Sequence, residues 1–389
     1  MRHQRNIRFV PAGIFLTAYL LTRLVFTPEL AVAQVDSPVR VAVVGLVHGH
    51  VQGFLHNLSS HPEVQLVGIA EPDAALRQQY IESTHLPTTL FFPTETEMLQ
   101  KTHPQAILVY TSVAGHRAAI EEAAPLHIAA MVEKPLATTV DDALAIQHAA
   151  ERYQVPVLAN YETTWYASNI AAHAMLENGS IGDLRKLVVH DGHRGPKEIG
   201  VGPEFLGWLT DPKQNGAGAL FDFGCYGVDL ATWFMHDDLP LTVTAVTLNI
   251  KPQIYPKVDD DSTIVLTYPR AQAIVQGSWN WPFDRKDMEV YGATGYVDTV
   301  YIDSTHTDQL RVRLPGEKIE RRETAPALAA PQNDSLNYLV AVLRGSLKPQ
   351  HDLTSLDTNV AVVRILDAAR RSAQTGRTIH LAEEVRGKK

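Results

Sequence analysis

Val39-Arg40-Val41-Ala42-Val43-Val44-Gly45-Leu46-Val47-His48-Gly49-His50 decides the fold. Its first six residues are nearly all apolar, as a parallel strand covered on both faces requires, and Gly45 ends the run. Working outward, a second such run at 64–70 ends at Glu71, a third at 106–110 precedes Thr111-Ser112, and a fourth at 128–132 delivers Glu133 and Lys134. Helical stretches at 73–83 and 117–124 lie between them, and a further strand is expected at 155–159. Alternating strands and helices of these lengths predict an α/β, doubly wound parallel sheet over 38–160. Ligands of such sheets collect beyond the carboxyl ends of the strands. The turn Val132-Glu133-Lys134-Pro135-Leu136-Ala137-Thr138 is therefore a place for chemistry.

After Asn160 the character changes. A helix near 168–177 leads to longer strands at 184–190, 242–250, 262–268 and 273–278. Period-two alternation in 262–268 and in Met288-Glu289-Val290-Tyr291 suits an open, largely antiparallel sheet with one covered face. Residues 161–389 thus read as an α+β substrate-binding and oligomerisation domain. Late helices at 335–344 and 358–374 follow, and at least one is expected to pack back on the first domain. Within this half a glycine-rich loop opens Gly218-Ala219-Leu220-Phe221-Asp222-Phe223-Gly224-Cys225-Tyr226-Gly227-Val228-Asp229. Helical spacing puts Asp222, Tyr226 and Asp229 on one face.

With 389 residues, 45% hydrophobic and 20% charged, the chain has the composition of a two-domain globular protein rather than a disordered one. Arg2, Arg5 and Arg8 precede an uncharged stretch at 9–22, and Ala31-Val32-Ala33 follows, which reads as a general secretory signal peptide over 1–33. The uncharged run is shorter than the roughly 20 residues that span a bilayer, so an uncleaved anchor is disfavoured and a secreted or periplasmic location is expected, with no stable membrane insertion. Removing four arginines and Glu29 takes the net charge from −9 to near −12, which argues against a nucleic-acid partner. Cys225 is the single cysteine, so no internal disulfide can form.

The loop Gly45-Leu46-Val47-His48-Gly49-His50 stands where a dinucleotide fingerprint would, between the first strand and its helix. Only its first glycine matches; Val47 and His50 hold the second and third positions. Backbone amides there and a protonated His48 or His50 can still attract phosphate. Glu71 suits a ribose diol and would repel a 2′-phosphate, so NAD is expected over NADP. His48 and His50 also form a His-x-His pair able to supply two metal ligands. No carboxylate or cysteine neighbours them in sequence, and no metal site is expected.

Taken together, Val43-Val44-Gly45-Leu46, Ile69-Ala70-Glu71-Pro72-Asp73, Thr111 with His116, Met131-Val132-Glu133-Lys134-Pro135-Leu136-Ala137 and the 218–226 segment resemble the glucose-fructose oxidoreductase, inositol dehydrogenase and MocA family over nearly the whole mature chain. The resemblance implies NAD or NADP on a Rossmann domain, oxidation or reduction of sugars, polyols and related carbinols, and homodimers or homotetramers built through the open sheet. It implies Lys134 as the catalytic lysine, Glu133 as the acid beside it, Asp222 as the acid opening the substrate-domain helix, and Tyr226 where many relatives carry histidine. Cofactor contacts are then expected from Gly45, Leu46, His48, Gly49, His50, Glu71, Thr111, His116, Glu133 and Lys134.

Oxidising a carbinol needs a group that accepts the hydroxyl proton near neutrality. Tyr226 is expected to carry that proton, with the Lys134 ammonium favouring phenolate, burial lowering the lysine pKa, and Asp222 orienting the hydroxyl. Exchanged roles for Lys134 and Tyr226 fit the sequence equally. Tyr161, Glu162, His193 and Arg194 join Asp222 and Tyr226 as expected substrate contacts, with Trp165, Trp279 and Trp281 as rings able to stack on a sugar. A glycoside cleaved through transient oxidation, or a sugar-binding protein that has kept the fold without catalysis, are the competing readings.

Overall fold

The computed structural model describes residues 37–381; the expected signal peptide at 1–33 lies outside them. The first sheet contains β1 (Val39–Val44), β2 (Val64–Ala70), β3 (Phe91–Phe92), β4 (Ala106–Val109), β5 (Ala129–Glu133) and β6 (Val157–Asn160) in the order β3-β2-β1-β4-β5-β6. Every pairing is parallel. Buried side chains on both faces explain the largely apolar runs: Val41, Val43 and Leu108 pack on one side, Ala42, Ile107 and Val109 on the other. The strand order reverses at β1, so the crevice opens beyond β1 and β4. The short strand β3 carries too little pattern to be read from sequence.

The second sheet comprises β7 (Leu184–Gly192), β8 (Thr242–Leu248), β9 (Asp261–Thr267), β10 (Gln272–Ser278), β11 (Arg285–Gly292), β12 (Tyr296–Val300), β13 (Gln309–Arg313) and β14 (Arg321–Thr324). Its order is β14-β13-β12-β11-β7-β10-β9-β8, antiparallel except between β7 and β10. One face is covered: Leu187, Val189, Ile264, Leu266, Ala273, Val275, Met288 and Val290 are buried beneath the helix Gly224–Phe234.

Both late helices touch the first domain. Helix Ser335–Leu343 sets Leu336 and Leu339 into the cluster containing Val41, Val43, Ile69 and Met131. Helix Leu356–Thr375 sets Val362, Val363 and Ile365 into the cluster on the opposite face, and its Arg370 Nη1 donates to the Thr138 carbonyl at 3.2 Å, just beyond the Glu-Lys-Pro turn. No helix among the described residues is long and apolar enough to cross a membrane.

One acid works against this packing. Glu95, first residue of the helix Glu95–Thr102, has a buried Oε1 without a partner among the described residues. Burial first, and the Glu122 charge second, push its pKa from 4.5 to about 8. Between those values the folded chain holds a proton that the unfolded chain has released, so stability falls as pH rises from 4.5 towards 8. Glu95→Gln is expected to stabilise the protein at pH 8 by on the order of 1 kcal/mol and to leave it unchanged near pH 4.5. Thermal melts of both proteins at the two pH values check this; an equal shift at both would refute it.

Candidate active site

Two clusters meet at the carboxyl edge of the parallel sheet. The first forms around Lys134, which β5 delivers into the crevice and which is only 6% exposed. Its Nζ lies 2.5 Å from Asp222 Oδ1 and 3.0 Å from the Asp222 carbonyl, joining the two domains. The other Asp222 oxygen accepts from Trp279 Nε1 at 2.9 Å. Burial acts to lower the Lys134 pKa, but the Asp222 carboxylate outweighs it and the net shift is upward. Lys134 is thus an ammonium at neutral pH, contrary to the expectation that burial would lower it.

Tyr226 also departs from expectation. Lys134 Nζ sits 4.9 Å from the centre of its ring, not at its hydroxyl. Burial, followed by the charge of Glu162, pushes the phenol well above its usual value, so phenolate is disfavoured. A second ammonium, Lys286 on β11, lies 4.9 Å from the same ring centre and is ion-paired with Glu162. Glu162 in turn accepts from the Tyr166 hydroxyl at 2.5 Å. Asp191 of β7 stands opposite Lys286 in register; both its oxygens are buried without partners among the described residues, and burial raises its pKa strongly. Lys286 and Asp191 were missed in the sequence. The period-two pattern of β7 and β11, which puts both on the inner face, is the signal that could have marked them.

Other expected residues separate. Asp222, Tyr226 and Asp229 do not share one helix face, because the chain breaks at Phe223 between the helical turn Ala219–Asp222 and the helix Gly224–Phe234. Asp259 holds the start of the first element: its carboxylate accepts from the amides of Gly218 and Leu220 at 2.9 and 2.7 Å. Asp229 ends fully buried and distant from Lys134 in role, its oxygens unpartnered among the described residues. Tyr161 lies beneath Tyr226, ring centres 5.6 Å apart, with a buried hydroxyl; it supports the wall instead of lining it. His193 faces Phe223 at 4.7 Å, while Arg194 on the same loop is exposed. Trp279 is fully buried and donates to Asp222, which removes it from any sugar, whereas Trp165 donates to Asn160 Oδ1 at 3.1 Å, packs against Tyr338 and is half-buried. Trp281 is half-buried beside His190.

The second cluster is the loop after β1. Gly45 adopts φ +84°, and a Cβ there would meet Thr111 Cγ2 at 2.8 Å, so this glycine is needed for the close turn. Glu71 accepts from the amides of Leu46 at 2.8 Å and Asp73 at 2.9 Å. The His48 amide donates to the Tyr110 carbonyl at 3.1 Å, and the His50 amide to His48 Nδ1 at 3.2 Å. His48 is 1% exposed beneath Phe205 and Trp208, ring centres at 4.7 and 5.4 Å, and Trp208 Nε1 donates to the Val47 carbonyl at 3.2 Å. His116 is buried, with Nδ1 at 3.1 Å from the Leu136 carbonyl of the Glu-Lys-Pro turn and Nε2 without a partner among the described residues.

Glu133 is brought to this loop from across the sheet. Its Oε2 lies 3.1 Å from His50 Nδ1 and 4.0 Å from His48 Nε2. The sequence places no carboxylate near the His-x-His pair; the fold does, because β1 and β5 end at the same sheet edge. Burial acts to raise the Glu133 pKa, but His50 and His48 hold it at about 2.

Residues 39–161 match the family model described as an oxidoreductase family with an NAD-binding Rossmann fold, and residues 170–298 match the GFO/IDH/MocA C-terminal domain. The chain belongs to the Gfo/Idh/MocA family. A D-apiose dehydrogenase of Rhizobium rhizogenes is 27% identical over 49% of this chain, an alignment spanning 53% of that protein. A D-apiose dehydrogenase of Paraburkholderia graminis is 27% identical over 70% of this chain and 72% of its own length. Aldose-aldose oxidoreductase from Caulobacter crescentus, solved with glycerol, shares the fold with a TM-score of 0.74 at 23% identity, covering 88% of this chain and 99% of that one.

A nicotinamide nucleotide of the Gfo/Idh/MocA type fits this chain at its two ends and meets a rebuilt loop between them. Glu71 closes the ribose end of β2, and each of its oxygens keeps a lone pair beyond the amide it accepts. At the other end Glu133 closes β5 and Lys134 follows it into the crevice. Between them the Leu46, His48 and His50 amides already have acceptors within the protein, leaving those of Val47 and Gly49 for a phosphate, with Phe205 over Gly49.

Proposed function

We propose that this chain is an exported NAD-dependent oxidoreductase acting on a sugar, polyol or glycoside carbinol, with the cofactor retained between turnovers. The ion pair of Lys134 with Asp222, formed where the two domains meet, carries this reading. Bound NAD would supply the hydride acceptor or donor. The chain's own part is the proton and the oxygen. Lys134, held as an ammonium by Asp222, donates its proton to the carbonyl oxygen as hydride reaches the carbon during reduction; for oxidation it must first release that proton to solvent and then, as the neutral amine, takes the hydroxyl proton as hydride leaves. Asp222, fixed by Trp279, keeps the amine aimed. Tyr226, flanked by two ammonium groups, is a wall that positions both rather than the proton carrier. Glu162 with Lys286, and His193, supply hydrogen-bonding groups for sugar hydroxyls.

Several supports come from the sequence and the family. The arginine-flanked apolar leader supports export, and scarcity of free nucleotide outside the cytoplasm supports a retained cofactor. The Glu71 carboxylate supports NAD over NADP, since a 2′-phosphate would meet a buried acid. The open sheet supports a homodimer or homotetramer. A related reading, glycoside cleavage through transient oxidation, uses the same residues and differs in showing no net redox change. A non-catalytic binding protein is favoured by one observation: three loop amides already satisfied within the protein.

The experiment is to denature protein purified from its native compartment and to quantify released nucleotide by mass spectrometry. About one NAD(H) per chain is expected. No nucleotide, together with no NAD binding on titration, would overturn the oxidoreductase reading and leave the binding protein.

A further inference from the structure

We propose that His48, His50 and Glu133 form a binding site for one divalent transition-metal ion of the zinc class. One donor atom from each residue lies within 4.8 Å of the other two, and this is the only such cluster of three His, Cys, Asp or Glu donors among the described residues. The two distances to Glu133 Oε2 are 3.1 Å from His50 Nδ1 and 4.0 Å from His48 Nε2. A tetrahedral zinc ion with bonds of about 2.0–2.1 Å sets its donors roughly 3.4 Å apart, so the cluster must draw together from separations of up to 4.8 Å to hold one. Two imidazoles and a carboxylate complete three positions and leave a fourth open, which is the pattern of zinc sites that exchange a water or substrate oxygen.

The surroundings fit a cation. Glu133 is 3% exposed, yet among the described residues no lysine or arginine pairs with it within 4.0 Å, because Lys134 is committed to Asp222. Its other oxygen has only Asn160 Nδ2 at 3.5 Å. His48 is buried against the contacting rings of Phe205 at 4.7 Å and Trp208 at 5.4 Å, so one ligand is pre-oriented. His50 is 47% exposed and gives the ion an entrance. His48 Nδ1 accepts the His50 amide at 3.2 Å, so the metal-free ring carries its proton on Nε2, facing Glu133. Metal at Nε2 moves that proton to Nδ1 and releases the long amide contact, a local change at the start of the helix His50–Asn57.

The proposed ion shares Glu133 and the 45–50 loop with the proposed nucleotide site, so its test is made on nucleotide-free protein and reads metal and not turnover. Untagged full-length protein is stripped with a chelator, dialysed and titrated with Co²⁺ and Zn²⁺, following visible cobalt absorption and metal content per chain. About one equivalent is expected, with cobalt bands of low-coordinate geometry displaced by zinc. His50→Ala and Glu133→Gln, each confirmed as folded by circular dichroism, are expected to weaken binding at least about tenfold and to abolish the bands. Failure of the wild-type protein to bind stoichiometrically would overturn the site, as would unchanged bands in both variants, which would place the ion on other histidines.

Discussion

Lys134→Met is expected to lower turnover by about 10²–10⁴-fold, the usual worth of a positioned proton carrier, and to destabilise the fold at neutral pH by about 3 kcal/mol because Asp222 is left as an uncompensated buried carboxylate. The paired variant separates these effects. Lys134→Met combined with Asp222→Asn removes both charges, so most of the lost stability should return while turnover stays low. Denaturation midpoints measure the first quantity without knowledge of the substrate, and steady-state rates on the substrate pair that the protein turns over measure the second. The sign of the pH dependence follows from Asp222. Burial opposes its ionisation, but Lys134 holds its pKa below the usual 3.8, so the pair's stabilisation is present at neutral pH and is lost as pH falls below the carboxylate range. Full turnover in Lys134→Met would move the proton carrier elsewhere in the crevice.

Gly218→Ala is the second large effect. A methyl group at this position would stand 1.8 Å from the Asp259 carbonyl oxygen and 3.0 Å from its amide nitrogen, so the nearest obstacle is backbone and not a side chain that could yield. The same glycine donates its amide to Asp259 Oδ1 at 2.9 Å and accepts from the Asp222 amide at 3.0 Å, so any shift is transmitted to the acid that holds Lys134. A loss of roughly 3 kcal/mol or more is expected, at the upper end of overpacking, together with a weakened domain junction. Urea denaturation of the variant checks it, and a change below about 0.5 kcal/mol, the range of neutral surface substitutions, would show that the turn can open. Replacing Gly218 tests the loop that opens the substrate-domain helix without touching a proposed catalytic group.

Much of the architecture was legible because burial writes itself into the chain. Strands covered on both faces must be largely apolar; β4 is so throughout, β1 and β2 are so apart from Arg40 and Gln65, and β5 is so until Glu133. Strands covered on one face must alternate, and β9 does. The short or polar strands β3, β12, β13 and β14 were not foreseen, since two to five residues with charges between them carry no decisive period. At the site, Lys134, Glu133 and Asp222 were legible because a polar residue ending a buried strand or opening a glycine-rich turn is conspicuous. The direction of titration was not. Whether burial or a counter-charge wins at Lys134 depends on a contact 88 residues away, as does the choice between hydroxyl and ring for its approach to Tyr226.

By itself, the sequence determined the parallel sheet, the crevice at its carboxyl edge and the residue types that stand there, because local periodicity and strand-end chemistry are properties of neighbouring residues. Tertiary structure alone decided which of those residues meet. It set Glu133 beside His48 and His50 across β4, put Lys286 and Asp191 face to face on neighbouring strands, withdrew Asp229 and Tyr161 into the core, and engaged the amides of the phosphate loop within the protein. Each depends on a distance between chain segments far apart in sequence, and no local pattern encodes such a distance.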